Sequence, residues 1–269
     1  MFVDAPHGIS GRRPATHATN WFFAELLGGG QGAADTVAAW LPVVASVALG
    51  LLIYKLAVLL TRDVRVGVAS VLVFAVMPVN AVYTSLGFLD HNLHQYFWLG
   101  VTLLSLGWLA VDLQRQSVGG NGGQDHDCVY GHLRAPATWV VAIVFGISVA
   151  AGTHAWGGSP LLLIPLAGYI ALRAAMDARE NISPVLAALP VLGGLLIGST
   201  ISIALNVRWG WHAQFVSMTP AMVLAGGLVV TAAGELWRRL EIHLGGLLAV
   251  EALVAVAGLY AFRRLRPED

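Results

Sequence analysis

Asp90, His91, Asn92 and His94 crowd into one short stretch, Leu86-Gly87-Phe88-Leu89-Asp90-His91-Asn92-Leu93-His94, between two long apolar runs at 66–85 and 93–111. A carboxylate and an amide two positions apart can both point at one hard cation, because Mg²⁺ and Mn²⁺ prefer oxygen ligands. On a helix, His94 shares a face with Asp90. The same residues also suit the cap of a following helix, since Asp and Asn accept hydrogen bonds from its first free amides. The two roles are compatible, and the residue types alone leave both open.

Other polar residues invite the same question. Asp125-His126-Asp127-Cys128 with His132 has metal-ligand chemistry, but it falls in a glycine-rich segment and reads as a solvated loop. His154 and Trp156 read as an interfacial anchor. Arg208, Trp209 and His212 could meet a phosphate through the forked guanidinium, or a lipid headgroup. Glu251 lies inside an apolar run, where an ionisable group costs about 2.5–3.5 kcal/mol and therefore draws suspicion of function.

The elements that must hold these groups are membrane helices. The chain has 269 residues, 57% of them apolar and only 11% charged. Eight runs approach the roughly 20 residues that cross a hydrocarbon core: 36–60, 66–85, 93–111, 138–155, 161–175, 185–207, 215–233 and 244–262. The expected fold is all-α, a multi-pass transmembrane bundle of about eight helices. Residues 1–35 read as an extracytoplasmic loop, 36–262 as the transmembrane domain and 263–269 as a tail. Gly194 and Gly198 have the small-xxx-small spacing of close helix packing. The net charge of zero gives no electrostatic argument for nucleic acid. A single cysteine, Cys128, rules out an intrachain disulfide.

Loop charges set an orientation. Arg62 and Arg65, Arg115 and Arg134, Arg173 and Arg179, and Arg238 and Arg239 occupy alternate connections. Basic loops stay cytoplasmic, so the Asp90 turn, 154–159 and 208–214 are expected outside. Trp156, Trp209 and Trp211 suit an outer aromatic belt. Arg12, Arg13 and the tail arginines 263, 264 and 266 depart from this rule.

Thr84-Ser85-Leu86-Gly87-Phe88-Leu89-Asp90-His91-Asn92 resembles the second acidic motif of archaeal oligosaccharyltransferases, where a comparable turn opens a helix on the outer face. Ala5-Pro6-His7-Gly8, Pro14 and Trp21-Phe22-Phe23-Ala24 look like that family's first outer loop. His154-Ala155-Trp156-Gly157-Gly158-Ser159-Pro160 is similar to its outer Trp-Gly turn. The resemblance implies the core of a GT-C-type membrane glycosyltransferase, with these eight spans as the second to ninth of thirteen helices. It implies transfer of a lipid-linked oligosaccharide from a dolichyl phosphate or pyrophosphate carrier to Asn of an Asn-x-Ser/Thr acceptor protein. It implies Mn²⁺ or Mg²⁺ on Asp90, with Asn92 in a position that carries Asp or His in the family and His91 beside the metal or phosphate. His94, His154, Trp156, Arg208 and His212 are the candidates for carrier-phosphate or lipid contact.

Parts of the family pattern are missing. The first acidic motif, the glutamate of the long outer loop and the Trp-Trp-Asp-Tyr-Gly motif are absent, Asp4 lacks the first motif's context, and Arg12-Arg13-Pro14 stands where Trp-Gly-Pro is expected. The chain is therefore expected to be incomplete and inactive alone, with a second polypeptide supplying the rest. A non-catalytic membrane subunit that binds lipid-linked sugar or a partner protein is the alternative. A transporter ranks behind it, for want of internal repeats or a midplane polar site.

Overall fold

The computed structural model describes residues 13–78, 82, 86, 91–119, 126–240, 253 and 256. Every regular element among them is a helix: α1 (Pro14–Leu26), α2 (Gly30–Thr61), α3 (Val64–Val76), α4 (His91–Gly119), α5 (His126–Arg134), α6 (Pro136–Ala155), α7 (Pro160–Arg179), α8 (Pro184–Trp209) and α9 (Gln214–Leu240). Six of the described helices are long and apolar enough to cross a membrane, and the apolar α3 is shorter. The chain is a multi-pass membrane helix bundle.

Local chemistry explains the helix boundaries. Pro14, Pro136, Pro160 and Pro184 open α1, α6, α7 and α8, where a missing amide costs nothing. Asp63 accepts from the Arg65 amide at 2.8 Å and starts α3. Ser183 accepts from the Leu186 amide and starts α8. Gly210, in the left-handed region at φ 66°, ends α8.

Two elements correct the sequence reading. Residues 14–26 form a helix inside the segment expected to be loop, and α2 begins at Gly30, ahead of residue 36. Proline at the first position and a buried stripe of Thr16, Asn20 and Ala24 explain α1; the stripe is too short and too polar to register as a span. Within the expected solvated loop, 126–134 is helical. His132 is buried, and its Nδ1 lies 2.6 Å from Asp112 Oδ2, so the histidine clasps α5 to α4. The second span is described as helix only over Val64–Val76. The eighth span and Glu251 lie outside the described residues, apart from Leu253 and Val256.

The bundle is built around α6 and α8, which run parallel. A methyl group at Gly146 would collide with the Gly194 carbonyl; one at Gly194 would sit 2.5 Å from the Ala142 carbonyl, and one at Gly198 2.7 Å from that of Gly146. The small-xxx-small pair therefore meets a third glycine, and backbone touches backbone. Phe145, Val149, Val191 and Leu195 pack around this seam with Leu106, Leu109, Leu163 and Ile170. α4 covers α6, where Thr102 and Ser148 hydroxyls lie 2.9 Å apart. α2 packs on α4, and α3 on α2. α9 packs on α7 and α8, and Glu235 accepts from Ser183 at 2.8 Å.

This arrangement gathers Arg62, Arg65, Arg115, Arg134, Arg179, Arg238 and Arg239 at one end of the bundle. Trp156, Trp209 and Trp211 lie at the other, with α1 laid across it through a hydrogen bond from Thr16 Oγ1 to the Ala155 carbonyl.

Gly194→Ala should destabilise the bundle by roughly 1–3 kcal/mol, the usual cost of overpacking. Gly226→Ala, with nothing within 4 Å of the new methyl, should be neutral or slightly stabilising. Equilibrium unfolding in detergent compares the two, and equal midpoints would contradict a backbone-close seam.

Candidate functional site

At the tryptophan end, a buried polar network sits against an open cleft. His154, at 0% exposure, is carried on the last turn of α6. Its Nε2 lies 3.0 Å from Ser202 Oγ and 3.2 Å from the Ser202 carbonyl oxygen on α8. Ser202 Oγ donates to the Ser217 carbonyl at 2.9 Å, so Nε2 carries the histidine proton and donates to the Ser202 oxygens. Nδ1 is then a buried lone pair with no protein partner.

The connection from α8 to α9 wraps over this histidine. Asn206 Nδ2 donates to the carbonyls of Trp211 at 3.0 Å and His212 at 2.9 Å. Ser217 Oγ adds a second donor to the Trp211 carbonyl, also at 3.0 Å. These bonds hold His212 at φ 59°, a backbone region that non-glycine residues seldom occupy. The turn stacks the His212 ring on His154, centroids 5.6 Å apart and planes 20° apart. Trp211 meets His154 edge-on at 5.6 Å and lies 5.7 Å from Trp209. Trp211 Nε1 and His212 Nε2 are buried polar atoms without protein partners.

A cleft of about 560 Å³ opens beside this network, lined by Arg13, Trp156, Gly158, Gly210, His212 and Val216 among others. Gly158 leaves room for the Trp156 ring; any side chain there would strike it. Ser159 Oγ donates to the Thr153 carbonyl at 2.9 Å and closes the turn. A second cavity, about 400 Å³, lies between α4, α6 and α7. Leu99, Leu103, Leu162 and Leu166 make it mostly apolar, and Gln95, Thr102, Ser148, Thr153 and Ser159 add polar groups to its wall.

The structure thus brings together His154 on the last turn of α6 and Trp156 and His212 from the connections that follow α6 and α8. Arg208 is exposed at the end of α8 and is not part of the cleft lining. Asn92 is half-buried and His94 buried in the first turn of α4, and neither lines the cleft. Asp90 lies outside the described residues, as does the His91 side chain. Among the described residues no group of three or more His, Cys, Asp or Glu side chains could hold a metal ion. The cation site expected from Asp90 and Asn92 therefore has one described donor, the half-buried Asn92, whose amide oxygen suits a hard cation. Arg13 was counted as a breach of the loop-charge rule, yet it is the guanidinium of the cleft. Ser202, Asn206 and Ser217 gave no signal, being small polar residues at helix ends or within apolar runs.

The same bundle occurs in known structures. An archaeal oligosaccharyltransferase AglB from Archaeoglobus fulgidus, solved with an inhibitory peptide and a dolichol-phosphate, matches 93% of this chain with a TM-score of 0.68 at 19% identity. The apo crystal structure of the Archaeoglobus fulgidus oligosaccharyltransferase matches 96% with a TM-score of 0.69 at 16% identity. The fold is shared with archaeal oligosaccharyltransferases. This chain spans about a third of their length, 29% and 32% of the two chains. No protein-family model and no curated protein matches it by sequence.

Burial holds the His212 pKa below the ordinary 6.5, against an opposing hydrogen bond to the His154 backbone. His17 is lowered too, by burial and then by Arg13. The folded chain therefore binds these protons less readily than the unfolded chain. The stability these two histidines contribute is fully present above about pH 6.5 and is lost as pH falls below it. Melting temperature should drop on acidification from about pH 8 to about pH 5. His212→Asn, which tolerates the left-handed backbone and cannot titrate, should make the drop shallower. An unchanged slope would assign the effect elsewhere.

Proposed function

We propose that this chain forms the membrane part of an oligosaccharyltransferase, with the Arg13–Trp156–His212 cleft receiving the headgroup of a polyprenyl-linked sugar carrier. One observation carries the reading: a bundle shared over more than nine-tenths of this chain with proteins of that activity, one solved with dolichol-phosphate, has a cleft of this chemistry at its tryptophan end. The orientation that follows puts the tryptophan end outside and the arginine end in the cytoplasm, as the positive-inside rule favours.

The chemistry of the lining fits a phosphorylated headgroup on a hydrocarbon chain. Arg13 offers planar, forked donors to phosphate oxygens. Burial keeps His212 neutral near pH 7, so the cationic charge at the cleft comes from the arginine. Trp156 offers an amphipathic ring at the level where sugar and headgroup would sit. The 400 Å³ cavity, mostly apolar and lined in part by Thr153 and Ser159, suits the first isoprene units of the carrier.

Asn92 lies in the first turn of α4, and Asp90, Asn92 and His91 are the residues that would hold Mn²⁺ or Mg²⁺. Such a cation supplies positive charge that stabilises a leaving phosphate. The acceptor is the side-chain amide of Asn in an Asn-x-Ser/Thr segment, and further polypeptide would supply the acceptor pocket.

Titration of dolichyl phosphate into the protein in lipid nanodiscs tests the cleft. Wild type should bind saturably. A hydrogen bond to a charged group contributes roughly 1.5–3 kcal/mol, and about 1.4 kcal/mol is tenfold in affinity, so Arg13→Gln should weaken binding at least about tenfold. Asp90→Ala should abolish the Mn²⁺ dependence of binding while leaving the metal-free affinity intact. Absence of saturable binding by wild type would defeat the carrier reading, and equal affinity of Arg13→Gln would remove the arginine from the site.

A further inference from the structure

We propose that His212 is the second cation of the cleft, taking up a proton at Nε2 when a phosphorylated headgroup enters; this rests on the cleft being the carrier site. The ring is set up to change charge at one atom. Nε2 is buried without a protein partner, so the hydrogen bond to the His154 backbone falls to Nδ1. A neutral imidazole that donates through Nδ1 keeps its basic lone pair on Nε2. The turn holds the ring in this place, because Asn206 Nδ2 donates to the carbonyl of His212 itself at 2.9 Å and the backbone there stays at φ 59°. His154, stacked on the same ring, does not line the cleft, and its own Nε2–H is taken by Ser202.

Charge balance calls for that proton. A phosphate monoester carries about −1.5 to −2 charges at pH 7. Among the described residues that line the cleft, Arg13 is the one permanent cation, and no acidic side chain joins it. One arginine therefore leaves roughly half to one negative charge unmatched, beside a wall of glycine and aromatic side chains where unpaired charge is costly. An opposite charge within about 4–6 Å favours the charged form of a titrating group by about 1–3 in pKa, so the phosphate need not touch Nε2. In the free chain burial prevails and holds the His212 pKa below the ordinary 6.5, although the bond to the His154 backbone favours the proton. The other ionisable groups nearby leave His212 as the responsive one. His17 on α1 is exposed and feels Arg13, Arg208 at the end of α8 is exposed outside the lining, and α9 carries no ionisable residue before Glu235.

The coupling is reciprocal. A headgroup that strengthens proton binding at His212 is itself held more tightly as pH falls. Affinity rises by up to about tenfold per pH unit between the bound and free values of the histidine, and levels off below the free value. A polyprenol without phosphate evokes no proton, so the inducible charge favours phosphorylated lipids over neutral ones.

Calorimetric titration of dolichyl phosphate into the chain in phosphatidylcholine nanodiscs counts the proton. The titration is run without divalent ions at about pH 6.5, in two buffers of different ionisation enthalpy. Wild type should take up roughly half a proton or more beyond His212→Asn, a difference that removes the ligand's own titration, and His17→Asn should match wild type. Long-range ¹H–¹⁵N spectra of histidine-labelled wild type give a second readout that needs no variant to bind. The His212 signals, assigned by their loss in His212→Asn, should pass from the Nδ1–H tautomer to imidazolium on saturation with dolichyl phosphate and stay neutral with dolichol. Equal proton counts in wild type and His212→Asn, or a neutral ring in the saturated complex, would overturn the proposal and leave the carrier site standing. Absence of saturable binding by wild type would remove both.

Discussion

The close approach of α6 and α8 is the constraint on which the rest depends. Side-chain burial cannot drive helices together inside lipid, because the tails are as apolar as leucine. Contact area and backbone proximity must do it, and Gly146, Gly194 and Gly198 provide both. Gly146 and Gly194 are 48 positions apart in sequence, and so are His154 and Ser202. Two parallel helices locked at the glycines therefore remain in register eight residues further on, about 12 Å along the axis. That register sets an imidazole beside the hydroxyl and carbonyl of Ser202. If the seam opened or slipped by one turn, His154 would lose its partners and the α8–α9 turn would lose the ring on which His212 stacks.

Polar atoms in a bundle of this kind need partners, since water is excluded and each unsatisfied group is costly. At the tryptophan end the chain spends nearly all its hydrogen-bonding capacity on shape. Asn206, Ser202 and Ser217 use their donors to hold the turn that carries Trp211 and His212. A non-glycine residue at positive φ persists because neighbouring contacts over-determine it. What remains unspent there, among the described residues, is Asn20 Oδ1 on α1, a lone pair on His154, the Trp211 N–H and His212 Nε2. Buried polar atoms held this rigidly and left unpaired are an uncommon feature of stable structures, and here three of them lie beside the cleft that Arg13 lines.

Much of the bundle was legible in the sequence because lipid imposes a simple rule. Runs of about 20 apolar residues must become helices, and six of the eight expected spans coincide with long helices among the described residues. The glycine pair 194/198 announced a close approach, but not that Gly146 would meet it, since a partner on another helix has no signature in local spacing. α1 and α5 escaped for the opposite reason. They are short, mixed in polarity, and held by contacts to residues distant in sequence, among them Thr16 to Ala155, His132 to Asp112 and Val129 against Leu113 and Ile182. The site was half legible in the same way. His154, Trp156 and His212 stood out individually as polar or aromatic residues at span ends. Their convergence depends on helix register, and Arg13 reaches the cleft only because α1 exists.

The fold also explains how a polar cleft and an apolar cavity come to lie on either side of one turn. Thr153 and Ser159 bracket the turn between α6 and α7, and the bond from Ser159 Oγ to the Thr153 carbonyl cinches it. Trp156 lies against Gly158 and lines the cleft, while Thr153 and Ser159 line the cavity of leucines between α4, α6 and α7. A molecule with a charged head and a hydrocarbon tail changes environment over the length of a few bonds, and a binding surface must change with it over the same distance. A tight turn between two spanning helices achieves this because its backbone polar groups are satisfied internally while its flanking residues already belong to the apolar bundle. In a lipid-carrier enzyme that junction would fix the depth of the scissile bond, so the position of the turn matters more to such chemistry than the identity of any one leucine in the groove.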